Sequence, residues 1–418
     1  MLPQKECRLP NGTHTVNGVR WRVTKGKEVH RMRIAMVAPE RLPLPGSGSV
    51  EICIHALAVR LAERHEVTVL CRSAEGQPNR QQEGRLEFVR IPADSYAVYK
   101  AGVLGYLRQH KARFDLVQVD NRPGLMAAVK SACPELTVAL FLHSLTFVPA
   151  SRQVAGALAR ADLILANSRS LGRRLRRRFP RIPPVSVVPL GVDTERFLPA
   201  AAQFAGRPFT VLFAGRLIPR KGVPVLLRAL HRIRRWVPAQ LIVAGGGPPA
   251  YVRRLKQLAR RLRIPAVFLG SVPHADIHRL YPQADCFVCP SQRHEAFGLV
   301  NVEAMACGLP VVASRIGGIA EIVEPGRSGF LVRQYKEPAA FAACLFRLAA
   351  RPDAAEQMGR AARAEAEARF DWRYSAAALE RLYAAALAGR ALDGASGEHR
   401  APATASAPAP PHAPLAAP

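Results

Sequence analysis

Acidic residues are scarce: 31 Asp and Glu stand against 60 Lys and Arg, a formal net charge of +29. Lysine is scarcer still, at nine, so arginine carries most of the excess. Arginine together with abundant alanine and 35 prolines reads as the imprint of a GC-rich genome. The charge is also spread evenly. Residues 1–200 hold 31 basic and 16 acidic side chains, and the remainder holds 29 and 15. No basic domain stands apart, so nucleic acid is not an expected partner. Long apolar runs are missing too. The longest, Leu136 to Phe147, contains His143 and falls short of the ~18 residues of a spanning helix. No apolar stretch opens the chain as a secretory signal would, and the expected location is the cytoplasm.

Cysteines number eight and are scattered, which is no disulfide framework. Cys286 and Cys289 form the lone C-x-x-C pair, with His274, His278 and His294 nearby. They read as apolar positions of a buried strand, and no metal or cofactor is expected. Signatures of phosphoryl transfer and dinucleotide binding are absent as well. There is no G-x-x-x-x-G-K-S/T, no complete G-x-G-x-x-G after a strand and no Asp-x-Asp pair.

What is present is alternation. Apolar strands at Arg33–Pro39, Val67–Leu70, Leu86–Ile91, Leu116–Val119, Thr137–Leu142 and Leu163–Ala166 are separated by amphipathic helices. After Pro189 the pattern restarts, at Thr210–Ala214, Gln240–Ala244, Val267–Leu269, Cys286–Cys289 and Val311–Ala313. Continuous apolar strands between helices mean parallel sheets covered on both faces. Two such series predict an α/β chain of two doubly wound, Rossmann-like domains, with ligands in the cleft between them.

Four segments carry chemistry. The stretch Glu295-Ala-Phe-Gly-Leu-Val-Asn-Val-Glu303 follows a strand and starts a helix near Gly298 that stops at Gly308. Amides at the helix start, Gly298 and Leu299, suit a phosphate. Glu295 before the helix and Glu303 inside it can accept hydrogen bonds from hydroxyls; two solvated glutamates on a capped surface helix is the plainer alternative. The loop Phe213-Ala-Gly-Arg-Leu-Ile-Pro-Arg-Lys-Gly222 places Arg216 and Lys221 at a sheet edge, where both could contact a diphosphate. The loop Gly46, Ser47, Gly48, Ser49 lies between the first strand and a helix, and either its glycines let backbone approach a ligand or it is a plain strand-to-helix turn. His143 closes a strand and either lines the cleft or sits satisfied in the core.

Together with "VVPLGVDTERF" (187–197), "IVAGGGP" (242–248), "ACGLPVVAS" (306–314) and "GGIAEIV" (317–323), these residues resemble the retaining GT-B glycosyltransferases of family 4 over roughly 32–388. "VAPERLPLP", "DNRP" (120–123) and "LFLHSLTF" (140–147) resemble a spore-coat-type bacterial subgroup. The resemblance implies a nucleoside-diphosphate-sugar donor and no cofactor. Arg216 and Lys221, with amides near Gly298 and Leu299, would hold the diphosphate. Glu303 would accept from the ribose, Glu295 would touch the donor sugar and His143 would lie near the reacting sugar. The Gly46–Ser49 loop would serve phosphate and acceptor; its Ser47-Gly48 replaces the Gly-Gly of many members. The acceptor would be a glycan, a lipid-linked molecule or a small molecule. Cell-envelope, polysaccharide or spore-coat glycan synthesis is the implied setting, at the inner membrane face or the spore coat. A non-catalytic GT-B scaffold and a nucleotide-sugar epimerase are the competing readings.

The expected organisation is an extension at 1–31, disordered or preceding a true start at Met32, and an acceptor domain at 32–195. A donor domain at 196–374, a terminal helix at 375–388 packing back across the domains, and a disordered Ala/Pro-rich tail at 389–418 follow. The run Arg169-Ser-Leu-Gly-Arg-Arg-Leu-Arg-Arg-Arg-Phe-Pro-Arg181 carries seven arginines and an apolar stripe, Leu171, Leu175 and Phe179. It either faces solvent or makes peripheral contact with an anionic membrane.

Overall fold

A computed structural model describes residues 31–42, 48–73, 75–199 and 206–389, together with the backbone of two short strands, β1 (His14–Val16) and β2 (Val19–Trp21). These two pair antiparallel as a ribbon within a stretch that shows no strand period in its sequence. Gly46 and Ser47 of the first loop and residues 390–418 of the tail lie outside the described residues.

The first sheet holds β3 (Arg33–Arg41), β4 (Glu66–Arg72), β5 (Arg80–Glu83), β6 (Leu86–Ile91), β7 (Leu116–Asp120), β8 (Thr137–Leu142), β9 (Leu163–Ala166) and β10 (Val185–Val187), in the order β10-β9-β8-β7-β3-β4-β6-β5. All neighbours are parallel except β5, which turns back antiparallel on β6. The second sheet holds β11 (Phe209–Ala214), β12 (Ala239–Ala244), β13 (Ala266–Gly270), β14 (Cys286–Cys289), β15 (Val311–Ser314) and β16 (Gly329–Val332), in the order β13-β12-β11-β14-β15-β16, all parallel. These are the two doubly wound domains that the apolar strands predict. In each sheet the chain runs outward one way, returns to the middle, and runs outward the other way. The reversals fall between β3 and β7 and between β11 and β14. At such a switch point the loops diverge and leave a crevice at the strands' carboxyl ends.

Helices cover both faces: α1 (Ser49–Ala62), α2 (Tyr96–His110), α3 (Pro123–Ala132), α4 (Arg152–Leu158) and α5 (Arg169–Arg178) in the first domain, then α6 (Val223–Ile233), α7 (Pro249–Arg261), α8 (His274–Ile277), α9 (Leu299–Ala306), α10 (Pro338–Ala349) and α11 (Pro352–Arg369) in the second. The last helix, α12 (Trp372–Leu387), returns to the first domain and packs on α1, burying Leu379 and Tyr383.

The chain therefore crosses between domains twice, and the crossings are bound together. Val192 N donates to Phe370 O at 2.6 Å, and Thr194 Oγ1 donates to Asp371 Oδ2 at 2.6 Å. Gly191 passes so close that a Cβ there would lie 2.6 Å from Trp372 N. Arg363 donates to the carbonyls of Phe197 and Ala306, both at 2.6 Å, and to Thr194 O at 2.9 Å. One guanidinium thus satisfies three carbonyls at the turn into the second domain.

Candidate active site

Two loops press together at the second switch point. Gly222, at φ +76°, ends the loop after β11, and a Cβ there would fall 1.9 Å from Pro290 O. Only glycine permits that approach and that φ together. Gln292 N then donates to Arg220 O at 2.7 Å, zipping the loop after β11 to the loop after β14. Across this seam Lys221 Nζ donates to Glu295 Oε2 at 2.6 Å, with Ser291 Oγ at 3.4 Å from the same oxygen. Burial pushes Glu295 up, but Lys221, then Arg220 and Ser291, outweigh it and hold the carboxyl below its usual value. Arg216, on the same loop, is exposed, and among the described residues no hydrogen bond or ion pair holds its guanidinium.

Gly298 caps α9 at φ +103°, and Gly317 and Gly318 brace the loop from behind. A Cβ on Gly317 would lie 1.9 Å from Glu295 O, and Gly318 N donates to that carbonyl at 2.9 Å. Leu299 opens the helix, and its first amides have no intrahelical acceptor. Arg216, Lys221, Glu295, Gly298 and Leu299 are thus brought together at one sheet edge.

Glu303 is apart from them. It is 4% exposed, and its oxygens accept from Tyr281 OH at 2.6 Å and face His274 Nε2 at 3.2 Å. The picture of two solvated glutamates on a surface helix fails here, because Glu303 is buried and Glu295 is ion-paired. Burial, then Glu303, drives the Tyr281 phenol well above its ordinary pKa, so it stays a donor.

In the first domain His143 ends β8 and is buried. Its Nε2 lies 2.9 Å from Asp120 Oδ1, its ring packs on Phe141 at 4.5 Å, and its buried Nδ1 has no hydrogen-bond partner among the described residues. Asn121, at φ +57°, orients the segment: its Oδ1 accepts from His143 N at 2.7 Å and from Ser144 N at 3.2 Å. Asp120 accepts in turn from Gln118 Nε2 at 3.0 Å, and Gln118 Oε1 accepts from Tyr383 OH of α12. Of the first loop, Gly48 and Ser49 start α1, and the carboxylate of Glu51 folds back so far that a Cβ on Gly48 would meet it at 1.8 Å. The buried Cys53 thiol is raised by burial and then by Asp120, Glu303 and Glu51.

The domains meet beside this cleft. Arg169 N and Ser170 N, the first amides of α5, donate to Glu321 Oε2 and Oε1 at 2.9 and 2.7 Å. Ser168 Oγ donates to Ala296 O at 2.6 Å, and Ser170 Oγ lies 3.1 Å from His294 Nε2. The basic helix α5 buries Leu171 and Leu175, with Phe179 buried just past its end, and exposes its arginines, but its first turn belongs to the domain interface.

Residues 195–365 match the family described as Glycosyl transferases group 1, and residues 50–196 match Glycosyltransferase Family 4. The spore coat protein SA of Bacillus subtilis (strain 168) is 30% identical over 378 residues, covering 84% of this chain and 99% of that protein. The chain belongs to the group 1 glycosyltransferases. Solved structures agree on the fold of this glycosyltransferase. Sucrose-phosphate synthase from Thermosynechococcus elongatus superposes with a TM-score of 0.72 at 24% identity, over 86% of this chain and 100% of that one. Anabaena HepE in complex with UDP-glucose does so at 0.68 and 22%, over 86% and 100%. Both are GT-B architectures, and the fold expected from the sequence is the fold found.

Sequence reasoning missed Asp120 as the partner of His143, and Tyr281 and His274 as partners of Glu303. One signal was available. Gln118 and Asp120 alternate inside an otherwise apolar strand, which places two polar side chains on one face.

Proposed function

We infer that this glycosyltransferase takes its sugar from a nucleoside diphosphate and passes it to an acceptor hydroxyl with retained configuration. The observation that supports this most is the Lys221–Glu295 pair set beside an exposed Arg216 and the start of α9. In the reaction the bond from the anomeric carbon to the diphosphate oxygen breaks as the acceptor oxygen bonds to the same face of that carbon. The acceptor proton passes to the departing phosphate oxygen. Negative charge grows on that oxygen, and Arg216, Lys221 and the α9 amides stand ready to stabilise it. Glu295, already paired with Lys221, positions the sugar rather than attacking it. His143 offers its open Nδ1 to a sugar hydroxyl, while Asp120 fixes its ring. Glu303 serves the ribose only by exchanging Tyr281 or His274 for a hydroxyl.

The complex of HepE with UDP-glucose lends support to a nucleotide-sugar donor, and the spore coat relative favours a cell-envelope or spore-coat glycan as product. A panel of UDP-, ADP-, GDP- and dTDP-sugars scored by thermal shift tests the donor. A true donor stabilises by mass action, by roughly 2.7 kcal/mol at a hundredfold excess over its Kd. A panel in which no nucleotide sugar shifts the melting temperature overturns the reading. The anomeric configuration of the product, read by NMR, tests retention.

A further inference from the structure

The two halves of the chain carry nearly equal excess charge, but the second half does not spread its share. From residue 201 on there are 29 basic and 15 acidic side chains, and residues 207–284 hold 15 of the former and one of the latter. The rest balances at 14 and 14. A GC-rich genome accounts for arginine in quantity; it does not account for a stretch almost without acids. The one acid, Asp276, sits on α8, 3.8 Å from Arg279.

Helix α11 shows how the same domain balances arginine elsewhere. There Arg360, Arg363 and Arg369 each pair with a glutamate four residues away, Glu356, Glu367 and Glu365. Helices α6 and α7 do the reverse. On α7, Arg253, Arg254, Lys256, Arg260 and Arg261 share the exposed face, while Leu255 and Ala259 are buried. On α6, Arg228 and Arg232 stand one turn apart, and Arg234 and Arg235 follow its end. All of these are exposed, and among the described residues none is ion-paired. Like charges at three- and four-residue spacing, as in Arg253–Lys256, Lys256–Arg260 and Arg228–Arg232, work against a helix.

The two helices are pinned side by side. Arg234 Nη1 donates to Arg263 O at 3.0 Å, and His231 Nδ1 lies 3.0 Å from Leu262 O. Their cations therefore form one basic face, about 20 Å long on α7. Helix α7 begins at the carboxyl end of β12, the sheet edge that also carries Arg216 and Lys221, so the face leads to the donor edge.

The chemistry of this face selects its partner. A helix that lies on a bilayer pairs its cations with an apolar side to insert. Here the apolar sides of α6 and α7 are spent on the sheet. The exposed Val267 and Leu269 of β13 point away from α7, because Phe268 between them packs beneath it, 5.8 Å from Lys256 Nζ. Single-stranded nucleic acid needs open aromatic rings to stack on. Trp236 stands at the end of α6, but its ring already meets Arg235 at 3.9 Å and the edge of Phe346 at 5.9 Å. What remains is a series of guanidinium forks along a helix, each suited to the oxygen pair of a carboxylate or phosphate.

We propose that the outer face of α6 and α7 is a binding track for a polyanionic glycan, a sugar polymer with an acidic group on its repeating unit. The arginines hold the polymer along the second domain while its end reaches the cleft. The proposal deepens the glycosyl-transfer reading and rests on it for the polymer's role as acceptor; binding along the face does not.

Isothermal titration of the full chain with polygalacturonate, galacturonate and neutral dextran tests it, with UDP, ADP and GDP titrated in parallel. Polygalacturonate should bind roughly tenfold or more tighter per sugar unit than galacturonate, because several arginines engage one polymer. Dextran should not bind, and added salt should weaken the polygalacturonate complex. Arg253→Gln, Arg254→Gln and Arg260→Gln together should lower its affinity roughly tenfold or more and leave nucleotide binding unchanged. Arg174→Gln, Arg176→Gln and Arg177→Gln in α5 remove the same charge and should leave polygalacturonate affinity in place, which separates this face from the net charge of +29. The α7 variant should melt no lower than the wild type, since it loses like-charge repulsion. If it melts lower, Arg228→Gln with Arg232→Gln on α6 should reproduce the loss of affinity. Equal losses from α5 and α7, equal binding of dextran, or no binding of polygalacturonate overturns the proposal. Tighter binding of single-stranded DNA or of phosphatidylglycerol vesicles through the same α7 arginines overturns it as well. Failure of every nucleotide to bind overturns the donor reading instead and leaves the polymer result standing.

Discussion

The hydroxyl of Tyr383, near the end of the last helix, donates to the side-chain oxygen of Gln118 in the middle of the first domain's sheet. Both residues are fully buried. Through Gln118 the bond continues to Asp120 and so to His143, which ties α12 to the end of β8. Removing the phenol oxygen leaves the amide oxygen without a donor in a dry core. Tyr383→Phe should cost about 1–3 kcal/mol in urea unfolding. If the chain also orients His143, kcat should fall while nucleotide affinity holds.

Lys221 and Arg216 differ in what their loss does to stability. Either change to alanine should lower transfer ~10²–10³-fold. Lys221→Ala also strips Glu295 of its main counter-charge. In the wild type Glu295 has a depressed folded pKa, so its stabilising contribution is present at neutral pH and is lost as pH falls through that value. In Lys221→Ala burial dominates instead and lifts the folded value above the unfolded one, so the sign reverses and stability should be lost as pH rises through it. Denaturation midpoints measured against pH for the two alanine variants check this, because Arg216→Ala should keep the wild-type profile.

Glu40 should act with the opposite sign. Burial is the largest effect on it, Arg122 opposes, and Asp120 and Glu51 add repulsion, pushing the carboxyl from 4.5 up to about 7. A carboxyl raised in this way binds its proton more tightly when folded. Its contribution is complete below the unfolded value and disappears as pH rises through the folded one. Glu40→Gln should therefore flatten the decline in stability between about pH 5 and about pH 8, measured by urea titration at each.

Glu321 spans the domains by receiving the first amides of α5. A carboxylate at a helix N-terminus contributes ~0.3–2 kcal/mol. Glu321→Ala should speed amide hydrogen exchange at Arg169 and Ser170 and raise KM more than it lowers kcat, since the two domains would meet less firmly.

The exposed arginines of α5 lend themselves to a binding test. Arg173 lies 4.0 Å from Glu321 and Arg178 donates to Val148 O at 2.6 Å, so both are left in place. Replacing Arg174, Arg176 and Arg177 with glutamine should weaken salt-sensitive binding to anionic vesicles by about 1 kcal/mol for each charge. Sedimentation with such vesicles at low salt measures it; no binding by the wild type would make the run a solvated face.

Much of this architecture is legible in the residues. The apolar strands, their parallel pairing and the limits of α9 follow from period and from Gly308 and Pro310. What escaped is of two kinds. β5, with the sequence Arg-Gln-Gln-Glu, is a polar edge strand without any apolar signal, β10 spans only three residues, and β16 opens on a glycine. The other kind is pairing across the chain. Lys221 and Glu295 each look like a ligand contact alone, and only the seam at Gly222 reveals that they hold each other. Gln118 needs a partner that no local pattern can supply, since it arrives 265 residues later.

That separation bears on the order of events at the ribosome. The first domain's sheet is synthesised long before α12, and Gln118 in its central strand must wait for a hydroxyl that follows 265 residues later. Until then Gln118 and the face of α1 that α12 covers stay exposed to solvent. Both lobes would consequently be sealed in a single late step, and a stop codon placed before Tyr383 would leave a fully translated second lobe beside a first lobe that cannot close.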